Sequence, residues 1–312
     1  MTADRVIAVL NGKGGVLKTS LAANIAGYLA TSMRVLAIDL DPSGNLKLDL
    51  GMTDSPANDE GKGLVDAIWY GQPLPIAKDV RPNLDFVFGG RGLDVLGGLA
   101  KSDLADDLPH GSVAAEFAAR IDEVSDDYDL ILLDCPPGNG ELQDMALAAA
   151  GWVLIPTKTD QASWDGLLSV GPRVKRARKT NPGLRYLGVV ITAHNPQASR
   201  VMRTAQERLA EVGDLVPMFD TFIRHSETAA QDCRNRGQLA FELAKDATAT
   251  KAERLEALRA RRRPPAGSPQ QVVQLPSALS SSAGGLAGDY ARLAHEICAR
   301  LTAADQREEA SQ

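Results

Sequence analysis

The sequence predicts an α/β protein built on a doubly wound, mostly parallel β-sheet with helices on both faces. A short apolar run at Arg5–Leu10 leads directly into a glycine cluster at Gly12–Gly15 and then into Thr19–Thr31, where Leu and Ile recur at helical spacing. A second apolar run, Arg34–Leu40, follows. This order of strand, glycine turn, helix and strand is a βαβ unit, which requires a parallel sheet that helices cover on both sides.

Later apolar runs continue the alternation. We expect further strands at Leu84–Phe88, Leu130–Leu133, Trp152–Ile155, Tyr186–Thr192 and Met218–Ile223. We expect helices at Leu64–Tyr70, Ser112–Val124, Gly140–Ala150, Trp164–Lys179 and Ser199–Val212. Of the 312 residues, 44% are apolar and 4% are aromatic, so the core consists mostly of aliphatic side chains.

The last quarter of the chain departs from this pattern. Thr250–Arg263 is predicted to be a basic helix, because Thr250 and Glu253 have capping-box spacing and Pro264 ends the run. Ala266–Leu286 is rich in Ser, Pro and Gln and is predicted to be a loop. An amphipathic helix over Gly288–Leu301 should pack on the main domain, followed by a frayed tail. The predicted parts are therefore a main domain at 1–245, a basic helix and loop at 246–287, and the final helix and tail at 288–312.

Charge is unevenly distributed along the chain. The net charge is −6, yet residues 173–263 contain 19 Lys and Arg against 10 Asp and Glu. A basic segment on an acidic protein suggests a surface that binds a polyanion, although an ordinary solvated helical face gives the same pattern. The Arg261–Arg263 cluster fits either a phosphate contact or a helix end that favours cations.

Several classes of protein are excluded by the composition. The longest apolar stretch, Ala146–Pro156, is shorter than the ~20 residues that a membrane-spanning helix needs. The three widely spaced cysteines fit neither a disulfide framework nor a zinc site. The N-terminal residues do not resemble a signal peptide. We therefore expect a cytoplasmic protein that has no membrane partner.

The segment between the first strand and the first helix has the composition of a phosphate-binding loop. Glycines let backbone N–H groups curl around an anion, and the helix N-terminus adds a partial positive charge. Lys18 is placed to neutralise the β- and γ-phosphates of a nucleotide, and the Thr19 hydroxyl is placed to bind Mg²⁺. The loop consists of Gly12, Lys13, Gly14, Gly15, Val16, Leu17, Lys18, Thr19 and Ser20.

Three segments in the first half of the chain carry motifs of a known family. Lys13–Ser20 reads Lys-Gly-Gly-Val-x-Lys-Thr-Ser, Asp39–Asn45 reads Asp-Leu-Asp-Pro-Ser-Gly-Asn, and Tyr128–Gly138 is an apolar strand ending in Asp-Cys-Pro-Pro-Gly. In this order and spacing they resemble the ParA/MinD family of deviant Walker A P-loop ATPases. The Asp-Pro-x-Gly-Asn form favours the ParA branch, which partitions plasmids and chromosomes.

The resemblance implies that ATP and Mg²⁺ are the cofactors and that the reaction is ATP hydrolysis. Lys13 would reach the phosphates of a partner subunit in an ATP-bound homodimer, and Lys18 would bind the phosphates of its own subunit. Asp41 would orient the attacking water. Mg²⁺ would be held by Thr19, Asp39 and Asp134. The alternatives are a solvated loop lysine at Lys13 and a capping or salt-bridged strand end at Asp39 and Asp134.

One residue departs from the family pattern within the loop itself. Leu17 stands where the family has glycine, immediately before the Walker lysine. If that backbone needs a positive φ, leucine costs ~1–2 kcal/mol; if it is helical, the cost is only steric. We expect Leu17 to weaken nucleotide affinity or turnover without removing the site.

By resemblance, the basic second half of the chain would bind double-stranded DNA without sequence preference. Few aromatic residues are available to stack on bases, so contacts to phosphates are the expected mode. The candidate residues are Arg173, Lys175, Arg176, Lys179, Arg200, Arg203, Arg224, Arg234 and Arg236.

Three functions remain compatible with the sequence. The first is a ParA-like ATPase that partitions DNA with a ParB-like centromere-binding partner and associates with the nucleoid. The second is a DNA-binding adaptor or regulator, either gated by nucleotide or independent of it, whose turnover is weak or absent because of Leu17. The third is a related ATPase that positions a cargo other than DNA.

Overall fold

The computed structural model describes residues 3–195, 203–205, 207–208, 216–250 and 282–310. Within these residues, seven strands form one sheet in the order β3-β4-β2-β5-β1-β6-β7, and all neighbours are parallel except the antiparallel pair β3–β4. The predicted α/β fold class is thereby confirmed. The strands are β1 Val6–Val9, β2 Val35–Asp39, β3 Ile76–Arg81, β4 Leu84–Val87, β5 Leu130–Asp134, β6 Trp152–Thr157 and β7 Arg185–Ile191.

Helices connect the strands and cover both faces of the sheet. Residues 203–205 and 207–208 are also helical. The longer helical segments are α1 Lys18–Leu29, α2 Leu46–Asp49, α3 Lys62–Tyr70, α4 Asp94–Leu99, α5 Val113–Val124, α6 Gly140–Ala149, α7 Gln161–Leu168, α8 Val170–Ala177, α9 Glu227–Arg236, α10 240–250 and α11 Ala283–Glu309.

The central strands are buried on both faces, so each contributes to two hydrophobic layers. In β2, Leu36 and Ile38 point into the layer formed with α3, α5 and α6. Val35 and Ala37 point into the opposite layer, formed with α1, α10 and α11. This explains why the central strands are continuous apolar runs rather than alternating ones. It also explains how α11, more than 250 residues after β1, belongs to the same core.

Two sheet edges differ from the sequence expectation. The strand β3 was not predicted, because its side chains are half-exposed and include Lys78 and Asp79 beside an irregularity in the ladder. The predicted strand at Met218–Ile223 was wrong. This segment makes only single parallel bridges, at Met218 and at Arg224, among the described residues.

Helix boundaries also shift. The predicted helix at Trp164–Lys179 is two helices that meet at Ser169, whose hydroxyl donates to the backbone of Gly166. The predicted loop at Ala266–Leu286 is wrong at its end, because α11 begins at Ala283. This helix also continues to Glu309, where fraying had been expected.

The remaining expectations concern the segments around the predicted domain boundaries. The boundaries at 245 and 287 both fall inside helices, and the three-part division itself stays a prediction. The predicted basic helix Thr250–Arg263 lies outside the described residues apart from Thr250. Most of the predicted helix Ser199–Val212 also lies outside them.

Candidate functional site

The candidate site lies at the carboxyl ends of the central strands. The loops that follow β1, β2 and β5 meet there, as expected for an open α/β sheet. They enclose a cavity of about 340 Å³. Its walls bring together residues from all three predicted motifs, including Gly14, Gly15, Lys18, Thr19, Asp41 and Pro137.

Hydrogen bonds from neighbouring strand ends fix the loop after β1. The buried Asn11 amide donates to Pro156 O at 2.9 Å and accepts from the backbone N–H of Lys13 at 2.8 Å. On the other side, the Thr192 hydroxyl donates to Val16 O at 3.0 Å. These hydrogen bonds to neighbouring strand ends hold the loop in its curled shape.

Leu17 has a left-handed backbone, with φ 65° and ψ 28°. It is the N-terminal cap of α1, and its side chain supplies no capping hydrogen bond. A left-handed conformation costs a residue with a Cβ ~1–2 kcal/mol, which glycine at this position avoids. Of the two backbone conformations that the sequence left open for Leu17, the one with a positive φ is the one that occurs.

Lys18 is buried at the start of α1 and points back over the loop. Its Nζ donates to Lys13 O at 3.0 Å. Burial lowers the pKa of Lys18, while the nearby carboxylates Asp134 and Asp41 oppose that effect. The side chain of Lys13 itself is exposed to solvent. The structure therefore separates the two lysines into one that serves this cavity and one that faces outward.

Asp39 and Asp134 end two adjacent central strands and are both buried. The Asp39 carboxylate accepts backbone N–H bonds from Asp41 at 2.9 Å and Leu46 at 3.1 Å. Burial nevertheless raises the pKa of Asp39 to about 7. Neither oxygen of Asp134 accepts a hydrogen bond from the described residues. Burial, followed by the charge of Asp39, raises the pKa of Asp134, while the adjacent Thr19 hydroxyl and Lys18 ammonium act against this.

A divalent cation fits the environment of Asp134. A buried carboxylate without hydrogen bonds is costly unless it is paired with a cation. The described residues contain no cluster of three His, Cys, Asp or Glu side chains that could hold a metal by themselves. Mg²⁺ suits such a site, because it usually takes one or two carboxylates and shares the phosphates of a bound substrate. Thr19, Asp39 and Asp134 are the residues that would hold it.

Asp41 lies on the open side of the same cavity. Its backbone N–H donates to Asp39, and its own Oδ1 accepts from the backbone N–H of Ser43 at 2.8 Å. The side chain is only half-buried. The carboxylate is therefore oriented by the loop but remains accessible to water.

A second cavity of about 450 Å³ adjoins the first and was not predicted from the sequence. Leu17, Ser20 and Arg234 line both cavities. The wall on the far side comes from α11, through Leu286 and Tyr290. No motif marks these two residues, because their place in the site depends on how α11 packs on the sheet.

Of the predicted basic residues in and just after α8, two contact an aspartate and two are exposed to solvent. Arg173 donates to Gly140 O at 2.8 Å and to Asp144 at 2.7 Å, which ties α8 to α6. Arg176 makes a longer contact of 3.3 Å with the same carboxylate. Lys175 and Lys179 are exposed.

The other predicted basic residues lie in different environments. Arg224 donates two side-chain hydrogen bonds to the fully buried Asp289 of α11, at 2.6 and 2.9 Å. Arg234 pairs with Asp49 at 2.9 Å. Arg203 lies 3.9 Å from Glu207, Arg236 is exposed, and Arg200 is outside the described residues. The nine candidates therefore do not all face solvent together.

No helix in the described parts of the chain combines the length and the apolar character that a bilayer crossing requires.

Comparisons with known proteins identify relatives of this chain. A family model described as an AAA domain matches residues 4–186. The chromosome-partitioning ATPase Soj of Thermus thermophilus is 33% identical over 214 residues, covering 68% of this chain and 78% of Soj. The chromosome partitioning protein ParA of Caulobacter vibrioides is 30% identical over 220 residues, covering 68% and 78%.

Solved structures show the same fold at lower identity. Apo McdA from Cyanothece superposes with a TM-score of 0.64 at 23% identity, covering 75% of this chain and 91% of that one. The cell division ATPase MinD of Pyrococcus furiosus superposes with a TM-score of 0.61 at 22% identity, covering 94% and 98%. With its phosphate loop, paired strand-end aspartates and partition-protein relatives, the chain belongs to the ParA/MinD family of P-loop ATPases.

Proposed function

We propose that this protein binds ATP with Mg²⁺ in the 340 Å³ cavity and hydrolyses it slowly to ADP and phosphate. The observation that carries the proposal is Asp134, a buried carboxylate without hydrogen bonds that lies beside Lys18 and Thr19. Solved relatives with this fold include a McdA variant in complex with ATP and the MinD protein of Pyrococcus horikoshii with Mg-ADP. Both support the choice of ligand.

Each residue of the site has a physical role in that reaction. The backbone N–H groups of the loop and the Lys18 ammonium bind the phosphate oxygens. When bound, Mg²⁺ neutralises charge on the β- and γ-phosphates. Asp41 orients a water molecule towards the γ-phosphate, since its carboxylate is held by the Ser43 N–H and open to solvent.

The adjoining 450 Å³ cavity accommodates the nucleoside. It begins at Leu17 and Ser20, where the phosphate cavity ends, and it has a partly apolar wall formed by Leu286 and Tyr290. A ribose and a base have both polar edges and apolar faces, so this mixture of walls suits them.

ATP binding would pair two copies of the chain. Lys13 is exposed at the rim of the cavity and is free to reach the phosphates of a partner subunit. The homodimer would then bind double-stranded DNA through exposed cations, of which Lys175, Arg176, Lys179 and Arg236 are the best placed among the described candidates. A ParB-like partner would stimulate hydrolysis, and the protein would act on the nucleoid to partition DNA.

Leu17 favours a second candidate, a DNA-binding adaptor with weak or absent turnover. The strain of its left-handed backbone and the bulk of its side chain both act at the start of α1, next to Lys18. A loop with this geometry can retain nucleotide binding while placing the γ-phosphate poorly for hydrolysis.

Measurements of ATP binding and phosphate release, each with and without DNA, distinguish these functions. The first proposal expects MgATP binding and a slow release of phosphate that requires Mg²⁺. The adaptor expects DNA binding with little or no release of phosphate above that of an Asp41→Asn variant, whether or not MgATP binds. Absence of MgATP binding would reject the ATPase and leave only an adaptor that binds DNA independently of nucleotide.

A further inference from the structure

Arg234 occupies the junction of the two cavities of the site. It belongs to α9, and its side chain lines both the phosphate cavity and the adjoining one. About half of the side chain is exposed (48%), so it opens towards the cavities rather than packing into the core.

A buried carboxylate holds Arg234 in this place. The Arg234 Nε donates to Asp49 Oδ1 at 2.9 Å, and the other oxygen of Asp49 accepts from the Ser20 hydroxyl at 2.8 Å. Asp49 is 7% exposed and lies in α2, while Ser20 lies in the first turn of α1. One carboxylate thus links the phosphate-loop helix, α2 and α9 at the wall of the site.

The contact with Asp49 leaves most of the guanidinium group available. A guanidinium carries five N–H donors in a planar fork, and Nε uses one of them here. The two terminal amino groups make no hydrogen bond to the described part of the chain. Planar, bidentate recognition of phosphate is the interaction for which arginine is best suited.

The charges around the phosphate cavity favour another cation. Asp41 and Asp134 lie near the buried Lys18 ammonium. Asp39 lies near both of these carboxylates and near the buried Lys47. A nucleotide adds several negative charges to this site. A guanidinium that can turn into the cavity offsets part of the resulting repulsion.

We propose that Arg234 is a phosphate-binding residue of the nucleotide site, positioned by Asp49 and Ser20. This assignment rests on the proposed function and adds to it a contact from the same subunit that no sequence motif marks. It also separates Arg234 from the candidates for DNA contact, because its side chain lines both cavities of the site. A purely structural cross-link between α9 and α2 is the reading that the test must exclude.

The test compares nucleotide and nucleoside affinities of Arg234→Gln with those of the wild type. We expect Arg234→Gln to weaken MgATP binding about tenfold or more, since a hydrogen bond to a charged group is lost. Its affinity for adenosine, which lacks phosphate, should stay within twofold of the wild type. Lys245→Gln removes an exposed positive charge from α10 and should leave both affinities unchanged. Thermal melting without nucleotide checks that each variant is folded.

Each outcome decides the assignment. Equal MgATP affinity in Arg234→Gln and wild type overturns it, as does an equal loss for MgATP and adenosine, which indicates a structural role. If Arg234→Gln does not fold, Arg234→Lys decides instead. It keeps the charge but loses the fork, so a drop of about threefold or more for MgATP alone supports the assignment and no change overturns it. Wild-type protein that binds no MgATP rejects the proposed function itself, and the assignment with it.

Discussion

Asp39 and Asp134 are register partners at the ends of β2 and β5. Paired residues of neighbouring parallel strands point to the same side, so two buried carboxylates stand together close to Asp41, which lines the phosphate cavity. Burial raises the pKa of both, and the charge of Asp39 raises that of Asp134 further. The nucleotide-free protein therefore carries an electrostatic cost that a bound cation relieves.

Replacing Asp134 with asparagine should stabilise the nucleotide-free protein and abolish Mg²⁺-dependent nucleotide binding. Because its folded pKa is raised above the unfolded value of about 4, the ionised carboxylate destabilises the fold as pH rises. We expect the free energy of unfolding of Asp134→Asn to exceed that of the wild type by about 1–3 kcal/mol at pH 8, so that the variant melts at a higher temperature. This difference should shrink as pH falls towards 4. Thermal melts across this pH range measure it.

The matched control is Asp66→Asn, which removes an exposed carboxylate from α3 and should not change the melting temperature. An Asp134→Asn protein that melts below the wild type at pH 8 would contradict the prediction.

Replacing Leu17 with glycine should raise nucleotide affinity and the rate of phosphate release. Glycine removes both the left-handed strain and the side chain that borders the two cavities. The gain in stability should not exceed ~1 kcal/mol, because glycine also loses more backbone entropy on folding. Leu17→Ala keeps the strain and removes most of the bulk, so titration of ATP into both variants separates the two effects. Equal affinity and equal rate in the wild type and Leu17→Gly would refute the idea.

DNA binding should depend steeply on salt, and the dependence should become less steep when exposed cations are removed. Each lost phosphate contact lowers the slope of log K against log salt by about one, so Lys175→Gln combined with Lys179→Gln should lower it by about two for each subunit that contacts the DNA. Affinity should fall similarly for unrelated DNA sequences. Lys62→Gln, an exposed position on α3, serves as the control. A slope that does not depend on these lysines would place the DNA surface elsewhere.

Replacing Arg224 with glutamine should destabilise the protein rather than act chiefly on DNA. Arg224 binds Asp289 with its backbone N–H and two side-chain donors, and Asp289 is fully buried. Removing the arginine leaves Arg292 as the remaining cation at this carboxylate among the described residues, at a cost of about 1–2 kcal/mol. The double variant Arg224→Gln with Asp289→Asn should recover part of the loss. Denaturant unfolding tests this, and an unchanged midpoint in Arg224→Gln would contradict it.

The parts of the fold that follow from local patterns could be predicted from the sequence. The βαβ unit around Gly12–Gly15 and the apolar central strands have strong local signals, and strand ends carrying Asp39 and Asp134 had to meet at one sheet edge. The edge strand β3 was not predicted because none of its residues is fully buried, so its sequence has no apolar pattern.

Other features of the site depend on contacts between distant segments. The positive φ of Leu17 is imposed by a loop fastened to β6 and β7, so the sequence left it open. Arg224 was predicted to contact DNA because it belongs to the basic half of the chain. Its ion pair with Asp289 could not be predicted, since Asp289 lies 65 residues further on, in a helix whose docking no local pattern predicts. The position of Arg234 beside the phosphate cavity was not predicted for the same reason, since its partner Asp49 belongs to a four-residue helix without a motif.

The most direct test of the account is thermal melting and sedimentation of the wild-type protein with millimolar MgATP, with ATP plus a chelator as the reference. Ligand that binds only the folded state must raise its stability. We predict that MgATP raises the melting temperature by several degrees and moves sedimentation from monomer towards dimer, and that the chelator abolishes both effects. Unchanged melting and unchanged sedimentation in saturating MgATP would contradict a nucleotide-gated dimer.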